Sequence, residues 1–108
     1  PEEAAEAALG WLLHGYRFDR YRTGPRAAPL PRLVAPAAAD PARQEIIAAG
    51  EFLTRDLINT PASDMGPDEL EAAFVALADR FGAVTRIVRG DDLLAQNLPM
   101  IHAVGRAA

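Results

Sequence analysis

Residues 40–61 read DPARQEIIAAGEFLTRDLINTP, and this stretch decides the organisation of the chain. Asp40 and Pro41 predict a helix start, since aspartate caps free N–H groups and proline in the first helical position loses no hydrogen bond. The helix is expected to end at Asn59, because the residue before Pro61 is pushed out of the helical region. Its apolar side chains cover a broad surface and are Ile46, Ile47, Phe52, Leu53, Leu57 and Ile58. The sequence therefore predicts a helix that is packed on two sides, as in a connector between two lobes.

The residues before this helix predict a first helix and a proline-rich boundary. Apolar residues at intervals of three and four predict a helix from Glu2 to about Tyr21, which Gly24 and Pro25 end. Residues 23–41 contain five prolines, which exclude a helix there and leave 30–35 as a possible short strand at an edge or domain border.

The residues after it predict a helix followed by a strand. A second helix is expected to begin at Gly66 and Pro67 and to end near Gly82. Its apolar stripe consists of Leu70, Phe74, Leu77 and Phe81. Residues 84–88 are rich in β-branched side chains and predict a strand, and 91–96 a helical turn. For residues 100–104 the pattern leaves helix and strand open. The fold class predicted is α/β, a helix-rich piece with one or two strands whose unpaired edges indicate part of something larger.

Composition excludes several classes of function. The 108 residues carry 11 arginines, no lysine and 15 acidic residues, for a net charge of −4, and 50% of them are hydrophobic. This balance is typical of a soluble globular domain, with no membrane span. Without cysteine there is no disulfide or thiolate nucleophile, which fits a cytoplasmic protein. The acidic balance and the scattered arginines disfavour nucleic acid as a partner.

The residue types that catalyse reactions or bind metals are few and isolated. His14 and His102 are 88 positions apart, and each is expected to be an ordinary helix or packing histidine. Two carboxylate pairs, Asp64 with Asp68 and Asp91 with Asp92, precede predicted helices, where capping explains them better than a cation site.

The loop at 59–67 and the C-terminal glycine give no site either. Thr60 and Ser63 offer hydroxyls, but no histidine lies near them in sequence, so a shaped turn is the better interpretation. Gly105 and Arg106 are too short a motif for a phosphate loop. The residues alone thus assign no catalytic, substrate-binding or metal-binding position.

Several short motifs, in order along the chain, resemble the cytosol (leucyl) aminopeptidase family of metallopeptidases. Residues 16–21 (YRFDRY) resemble the segment that closes the family's N-terminal lobe. Residues 55–61 (RDLINTP), 64–67 (DMGP) and Leu70 resemble the passage into its catalytic domain. Residues 103–106 (AVGR) resemble the start of the family's AVGRGS stretch, with Ala107 and Ala108 in place of glycine and serine.

The resemblance implies a two-lobed, hexameric enzyme that removes N-terminal residues, often leucine, from peptides. Its two divalent metal ions, zinc or manganese, activate a bridging water. The family's ligands include a lysine and follow AVGRGS, so this chain is expected to lack the catalytic and metal-binding residues and to be inactive alone. The resemblance also favours a helix at 100–104.

The family's layout divides the chain into three parts. Residues 1–40 correspond to the end of the N-terminal lobe, 41–59 to the connecting helix and 60–108 to the start of the catalytic domain. The leading hypothesis is a fragment of a metal-dependent leucyl aminopeptidase. The alternative is a stand-alone, non-catalytic interaction or assembly module, because a domain of this size cannot easily cover the broad apolar helix.

Overall fold

The computed structural model describes residues 2–25 and 28–106. The chain divides into two compact units, residues 1–59 and 60–108. The first contains α1 (Glu2–His14), a 3₁₀ turn (Ala37–Ala39) and α2 (Pro41–Asn59). The second contains α3 (Pro67–Arg80), α4 (Asp92–Ala95) and α5 (Pro99–Gly105). The helix-rich character predicted from the sequence is confirmed.

Helix α1 is shorter than predicted, because it ends at His14 instead of about Tyr21. The backbone N–H groups of Gly15 and Tyr16 bond to the carbonyls of Leu12 and Leu13, which tightens the last turn. The Arg17 guanidinium then donates to the carbonyl oxygens of His14 and Tyr16, at 2.9 and 2.7 Å. Arginine therefore satisfies the free carbonyls of the helix end and does not extend the helix.

Helix α2 has the predicted bounds. Asp40 accepts a hydrogen bond from the backbone N–H of Arg43 at 3.3 Å, which is a side-chain cap, and Pro41 occupies the first helical position. Its inner face packs on α1 with Gln44 and Ala48 buried. Ile46, on another face, is 72% exposed. Within the described residues of its unit, α2 is therefore packed on one side, and packing on a second side stays a prediction.

The proline-rich segment contains a helical turn that the sequence did not predict. Three alanines follow Pro36 and form the 3₁₀ turn, which ends at Asp40 with a positive φ of 46°. Ala39 is fully buried against its surroundings, and the turn packs on α1. Five prolines therefore exclude an α-helix but leave room for one tight turn between two of them.

Helix α3 begins and ends as predicted. At its start, the backbone N–H of Gly66 donates to the Glu69 carboxylate at 3.0 Å. At its end, Gly82 has a positive φ of 64°, and the N–H of Ala83 bonds to the Ala78 carbonyl at 2.9 Å. This pairing is the Schellman motif, which the glycine makes possible because it has no side chain to resist that backbone conformation.

The predicted strands are wrong for the part of the chain that the structure describes. Residues 30–35 and 84–88 have no regular secondary structure, and no strand occurs in 2–25 or 28–106. A β-branched sequence favours an extended backbone, but a strand also needs a neighbour to complete its hydrogen bonds. Neither segment has such a neighbour within the described residues, and an α/β fold is not confirmed.

Helices α4 and α5 confirm the predicted turn at 91–96 and settle 100–104 as helix. Asn97, with a positive φ of 58°, ends α4, and the N–H of Leu98 bonds to the Leu93 carbonyl at 2.8 Å. Both helices are shorter than an isolated peptide needs for stability, so they depend on their mutual packing.

Buried apolar side chains are small throughout the described residues. Those that are buried are Ala8, Ala39, Ala48 and Ala78. Most large apolar residues of α3 and α5 are exposed, namely Leu70, Phe74, Leu77, Met100, Ile101 and Val104. Each unit thus has a thin core: in the first unit most large apolar side chains are half-buried, and in the second most are exposed.

Candidate functional site

A polar cluster connects the end of α1 to the last turns of α2. The Tyr16 hydroxyl donates to the Asp56 carboxylate at 2.8 Å and accepts from the Asn59 side-chain amide at 3.0 Å. Below it, the Phe52 ring lies 5.3 Å from the Tyr16 ring, and the Arg55 guanidinium lies 5.4 Å from that ring's centre. We call these five residues the Tyr16 cluster.

The Tyr16 cluster shifts the ionisation of its phenol. Burial raises the pKa of Tyr16 above its ordinary value; the hydrogen bond from Asn59 lowers it, and the Asp56 carboxylate raises it. The phenol is therefore neutral at physiological pH and is held by both of its hydrogen bonds. Chemically, this arrangement joins two helices and offers no nucleophile.

A groove of about 550 Å³ runs between α1, α2 and residues 29–35. Its walls are mostly apolar, with Trp11, Leu30 and Phe52 among them, and its polar members are Arg32, Gln44 and Glu45. The buried Gln44 amide donates to the Ala39 carbonyl at 3.3 Å, so that side chain supports the turn.

The two histidines lie in different units. His14 is exposed at the end of α1, and His102 lies on α5. The Nε2 atom of His102 is 3.2 Å from an oxygen of Asp91, whose side chain is 95% exposed. Asp91 stands at the start of α4 but makes no side-chain cap, so the predicted capping role is wrong for this residue.

The remaining candidate residues from the sequence lie in the first turns of helices or in the loop before α3. Asp68 lies in the first turn of α3, and Asp92 in that of α4, where negative charge favours the helix dipole. Thr60 is buried, and the N–H of Asp64 bonds to the Pro61 carbonyl at 2.9 Å, which closes the turn. Ser63 is exposed in the same loop.

An ion pair on the second unit was not predicted from the sequence. The Arg89 guanidinium contacts both oxygens of the Glu71 carboxylate, with Nε to Oε2 at 2.7 Å. The hydrogen bond from Arg89 lowers the pKa of Glu71 below its ordinary value, and Glu71 in turn raises the pKa of Arg89. The two residues are 18 positions apart, and no local spacing signals that they meet.

The described residues do not assemble a metal centre. Within 2–25 and 28–106, no three His, Cys, Asp or Glu side chains come close enough together to hold a metal ion. A hydrolytic metal site normally needs three protein ligands and an open position for water. The residues present therefore do not fit the two-metal centre that the resemblance implies.

No helix of the described part is long and apolar enough to cross a membrane.

Known proteins match this chain from end to end. A probable cytosol aminopeptidase of Caulobacter vibrioides is 38% identical over 116 residues, which span 99% of this chain and 23% of the relative. A probable cytosol aminopeptidase of Geobacter sp. is 32% identical over the whole of this chain and 24% of its own length. The chain is homologous to a segment of the cytosol aminopeptidases. The resemblance seen in the sequence is thus confirmed.

The chain spans less than a quarter of the length of the curated relatives that it matches from end to end. Peptidase B of Cronobacter sakazakii is 46% identical over half of the chain. No family profile matches the chain, and no solved structure matches it. The division at residues 59 and 60 lies where the connecting helix is predicted to end, and the assignment of the units to lobes stays a prediction.

Proposed function

We propose that this chain is a segment of a metal-dependent aminopeptidase and that the catalytic and metal-binding residues of the enzyme lie outside it. This proposal rests on the match between 99% of this chain and proteins named cytosol aminopeptidase. The matched segment is 23% of the length of those proteins. The substrate of the parent is a peptide with a free N-terminus. Two zinc or manganese ions would supply the hydrolytic water there, in a homo-oligomeric, hexameric and cytoplasmic enzyme.

The segment itself contributes structure. Helix α2 is 19 residues long, about 28 Å at 1.5 Å per residue, and has a side-chain cap at its start. The Tyr16 cluster fixes its last turns to α1. A helix that is anchored at both ends has a fixed last turn, and so fixes the point in its own unit from which residue 60 continues.

The proposal is tested on the product of the complete reading frame. Purified protein is assayed with a leucine amide, then treated with a chelator and reconstituted with manganese or zinc. Hydrolysis that is lost with the metal and returns with it is expected, and the 108-residue chain alone is expected to be inactive. Hydrolysis by the 108-residue chain, or none by a folded complete product, would contradict the proposal.

A second candidate is an interaction or assembly module without catalysis. The exposed large apolar side chains of α3 and α5 favour it, because uncovered patches of this kind commonly mark interfaces. A reading frame that stops after Ala108, together with a solution mass well above 11.6 kDa, would support this candidate. A reading frame that continues into lysine- and aspartate-containing, glycine-rich motifs would support the enzyme.

A further inference from the structure

Helix α5 is held on its neighbour by a histidine and not by an apolar side chain. His102 is half-buried, whereas every other residue of α5 is exposed. The large apolar side chains of the helix, Met100, Ile101 and Val104, are 76%, 57% and 73% exposed. They therefore contribute little to the packing of α5 on α4. The imidazole takes the place that an apolar side chain normally has in a helix contact.

A polar contact joins this imidazole to the start of α4. The Nε2 atom of His102 lies 3.2 Å from an oxygen of the Asp91 carboxylate, and only 19% of the histidine side chain is exposed. The backbone bond from Leu98 to Leu93 fixes the turn between the two helices but does not reach the rest of α5. Helices of four and seven residues are too short to be stable alone. The order of α5 thus depends on the contact between His102 and Asp91.

The strength of this contact depends on the charge of the imidazole. Histidine is the side chain that ordinarily changes charge between pH 5 and 8. When it is protonated, both ring nitrogens donate, and its bond to a carboxylate joins two opposite charges. When it is neutral, the bond survives only in the tautomer that keeps its proton on Nε2.

The surrounding charges leave Asp91 as the group that acts directly on the histidine. The remaining charged groups on α4, at the end of α5 and in the segment before α4 are Arg86, Arg89, Asp92 and Arg106. The first two donate to Gln96 and Glu71. Arg106 follows His102 by four residues, a spacing at which like charges oppose each other on a helix surface. Among the described residues, Asp91 is the one charged group in contact with the imidazole.

We propose that His102 and Asp91 form a pH-dependent clamp that holds α5 on α4. Protonation of the imidazole strengthens the clamp, so α5 is ordered most firmly on the acid side of the histidine titration and loosens as the pH rises through it. The clamp does not depend on the proposed peptidase activity, because both of its groups lie in this chain and neither is assigned to catalysis.

Hydrogen exchange of the complete reading-frame product tests the clamp. The exchange rates of the amides of 100–105 are measured at pH 5.5 and at pH 8. Each rate is divided by that of an unstructured peptide of the same sequence, which removes the chemical effect of pH. The amides are expected to be roughly two- to fivefold better protected at pH 5.5, the size of effect that one exposed ion pair produces. Equal protection at both pH values, or better protection at pH 8, would overturn the proposal.

Two neighbouring aspartates supply a matched pair of variants. The Asp91 side chain is 95% exposed, so Asp91→Asn removes its charge with little effect on packing, and it is expected to abolish the pH-dependent protection. Asp92→Asn removes the same charge one residue away and is expected to retain that protection. Retention in Asp91→Asn, or loss in both variants, would refute the clamp.

The histidine itself provides a second check. His102→Gln keeps a hydrogen-bonding side chain that does not titrate, so the protection of 100–105 is expected to be the same at pH 5.5 and at pH 8. A pH dependence that survives in this variant would come from another group and would exclude His102 as the sensor.

Discussion

The Tyr16 phenol joins α1 to the last turns of α2, and its two partners act on its pKa in opposite directions. Asp56→Asn is expected to lower the pKa of Tyr16, because the carboxylate that disfavours the phenolate is lost. Asn59→Ala is expected to raise it, because the amide that donates to the oxygen is lost. Absorbance titration in a Tyr21→Phe background, which leaves Tyr16 as the single tyrosine, measures both shifts. Two shifts of the same sign would contradict the geometry of the cluster.

The same raised pKa gives a stability prediction at alkaline pH. A folded-state pKa above the unfolded value of about 10 stabilises the protein fully below that value, and the stabilisation is lost as pH rises through the folded pKa. Tyr16→Phe is therefore expected to lower the free energy of unfolding at pH 7 and to flatten its decline above pH 10. Urea denaturation at pH 7, 10 and 11 checks this. An unchanged alkaline decline in the variant would assign that decline to other groups.

Glu71 makes the stability of the second unit sensitive to acid. Because its pKa is lowered by Arg89, its contribution is present above the ordinary carboxylate pKa and is lost as pH falls through the lowered folded value. Glu71→Gln is expected to reduce the acid-dependent part of the free energy of unfolding, by a modest amount because the pair is exposed. Denaturation between pH 2 and 6 measures it. Asp79→Asn, on the same helix, is the control, and an equal effect in both variants would count against the pair.

At this scale the sequence predicted caps better than contacts. Asp40, Pro41 and Gly82 act locally, so their roles follow from neighbouring residues and were predicted correctly. The pairing of Tyr16 with Asp56 spans 40 positions, and no pattern within one helix specifies which distant side chain it meets. The Arg89–Glu71 pair, which spans 18 positions, was not predicted for the same reason.

The end of α1 depends on a close approach at Gly15. A Cβ atom at this position would lie 3.0 Å from Leu30 Cδ1 and 3.1 Å from the Leu12 carbonyl oxygen. Gly15→Ala is therefore expected to displace Leu30 and to lower the free energy of unfolding by about 1 kcal/mol or more. Chemical denaturation measures the loss, and the methyl resonances of Leu30 report the displacement.

Gly10→Ala is the matched control on the same helix. Nothing lies within 4 Å of a Cβ at this position, so alanine is expected to stabilise α1 by about 0.5–1 kcal/mol through its better helix propensity. Opposite signs for the two substitutions are the expected result. Stabilisation by both would mean that Leu30 does not pack on Gly15.

Helix α2 depends in two ways on Asp40, the residue just before it. Asp40 caps the N–H of Arg43 and has a positive φ of 46°. Asp40→Ala removes the cap and places a Cβ-bearing residue without local hydrogen bonds in the left-handed region, so a loss of about 1–2 kcal/mol is expected. Asp40→Asn keeps the cap and tolerates this φ, and it is expected to be nearly neutral. Thermal unfolding followed by circular dichroism compares them, and equal losses would exclude capping as the cause.

Helices were predictable as elements and strands were not. The bounds of α2 and α3 follow from apolar spacing within each helix and from end signals in the residues next to it. A strand takes its hydrogen bonds from elsewhere in the chain, so residues 84–88 carry the composition of a strand without the pairing. Helix α1 was predicted too long, because the arginines after it are typical of a helix C-terminus. Arg17 instead donates to the His14 carbonyl and so caps a helix that ends earlier.

For the whole molecule, stability depends most on whether the large apolar side chains are buried. Buried apolar residues in the described part are alanines, while Phe74, Phe81 and Met100 are largely exposed. A thin core of this kind supplies little of the roughly 5–15 kcal/mol that stabilises an ordinary domain. We therefore expect the 108-residue chain to bind a hydrophobic dye and to be less stable than the complete product.

A double substitution on the apolar stripe of α3 tests whether this surface is exposed in the 108-residue chain and buried in the complete product. Phe74→Ser with Phe81→Ser is expected to reduce dye binding of the 108-residue chain and to leave its helix content nearly unchanged, because both rings already lie largely in solvent. In the complete product the same pair is expected to cost several kcal/mol, as truncating buried phenylalanines does. Phe52→Ser, which removes the ring packed on Tyr16, is expected to destabilise both proteins and serves as the control. If the double variant instead destabilised neither protein, the stripe would be an ordinary solvent-facing surface, and the larger protein would not use it as a layer.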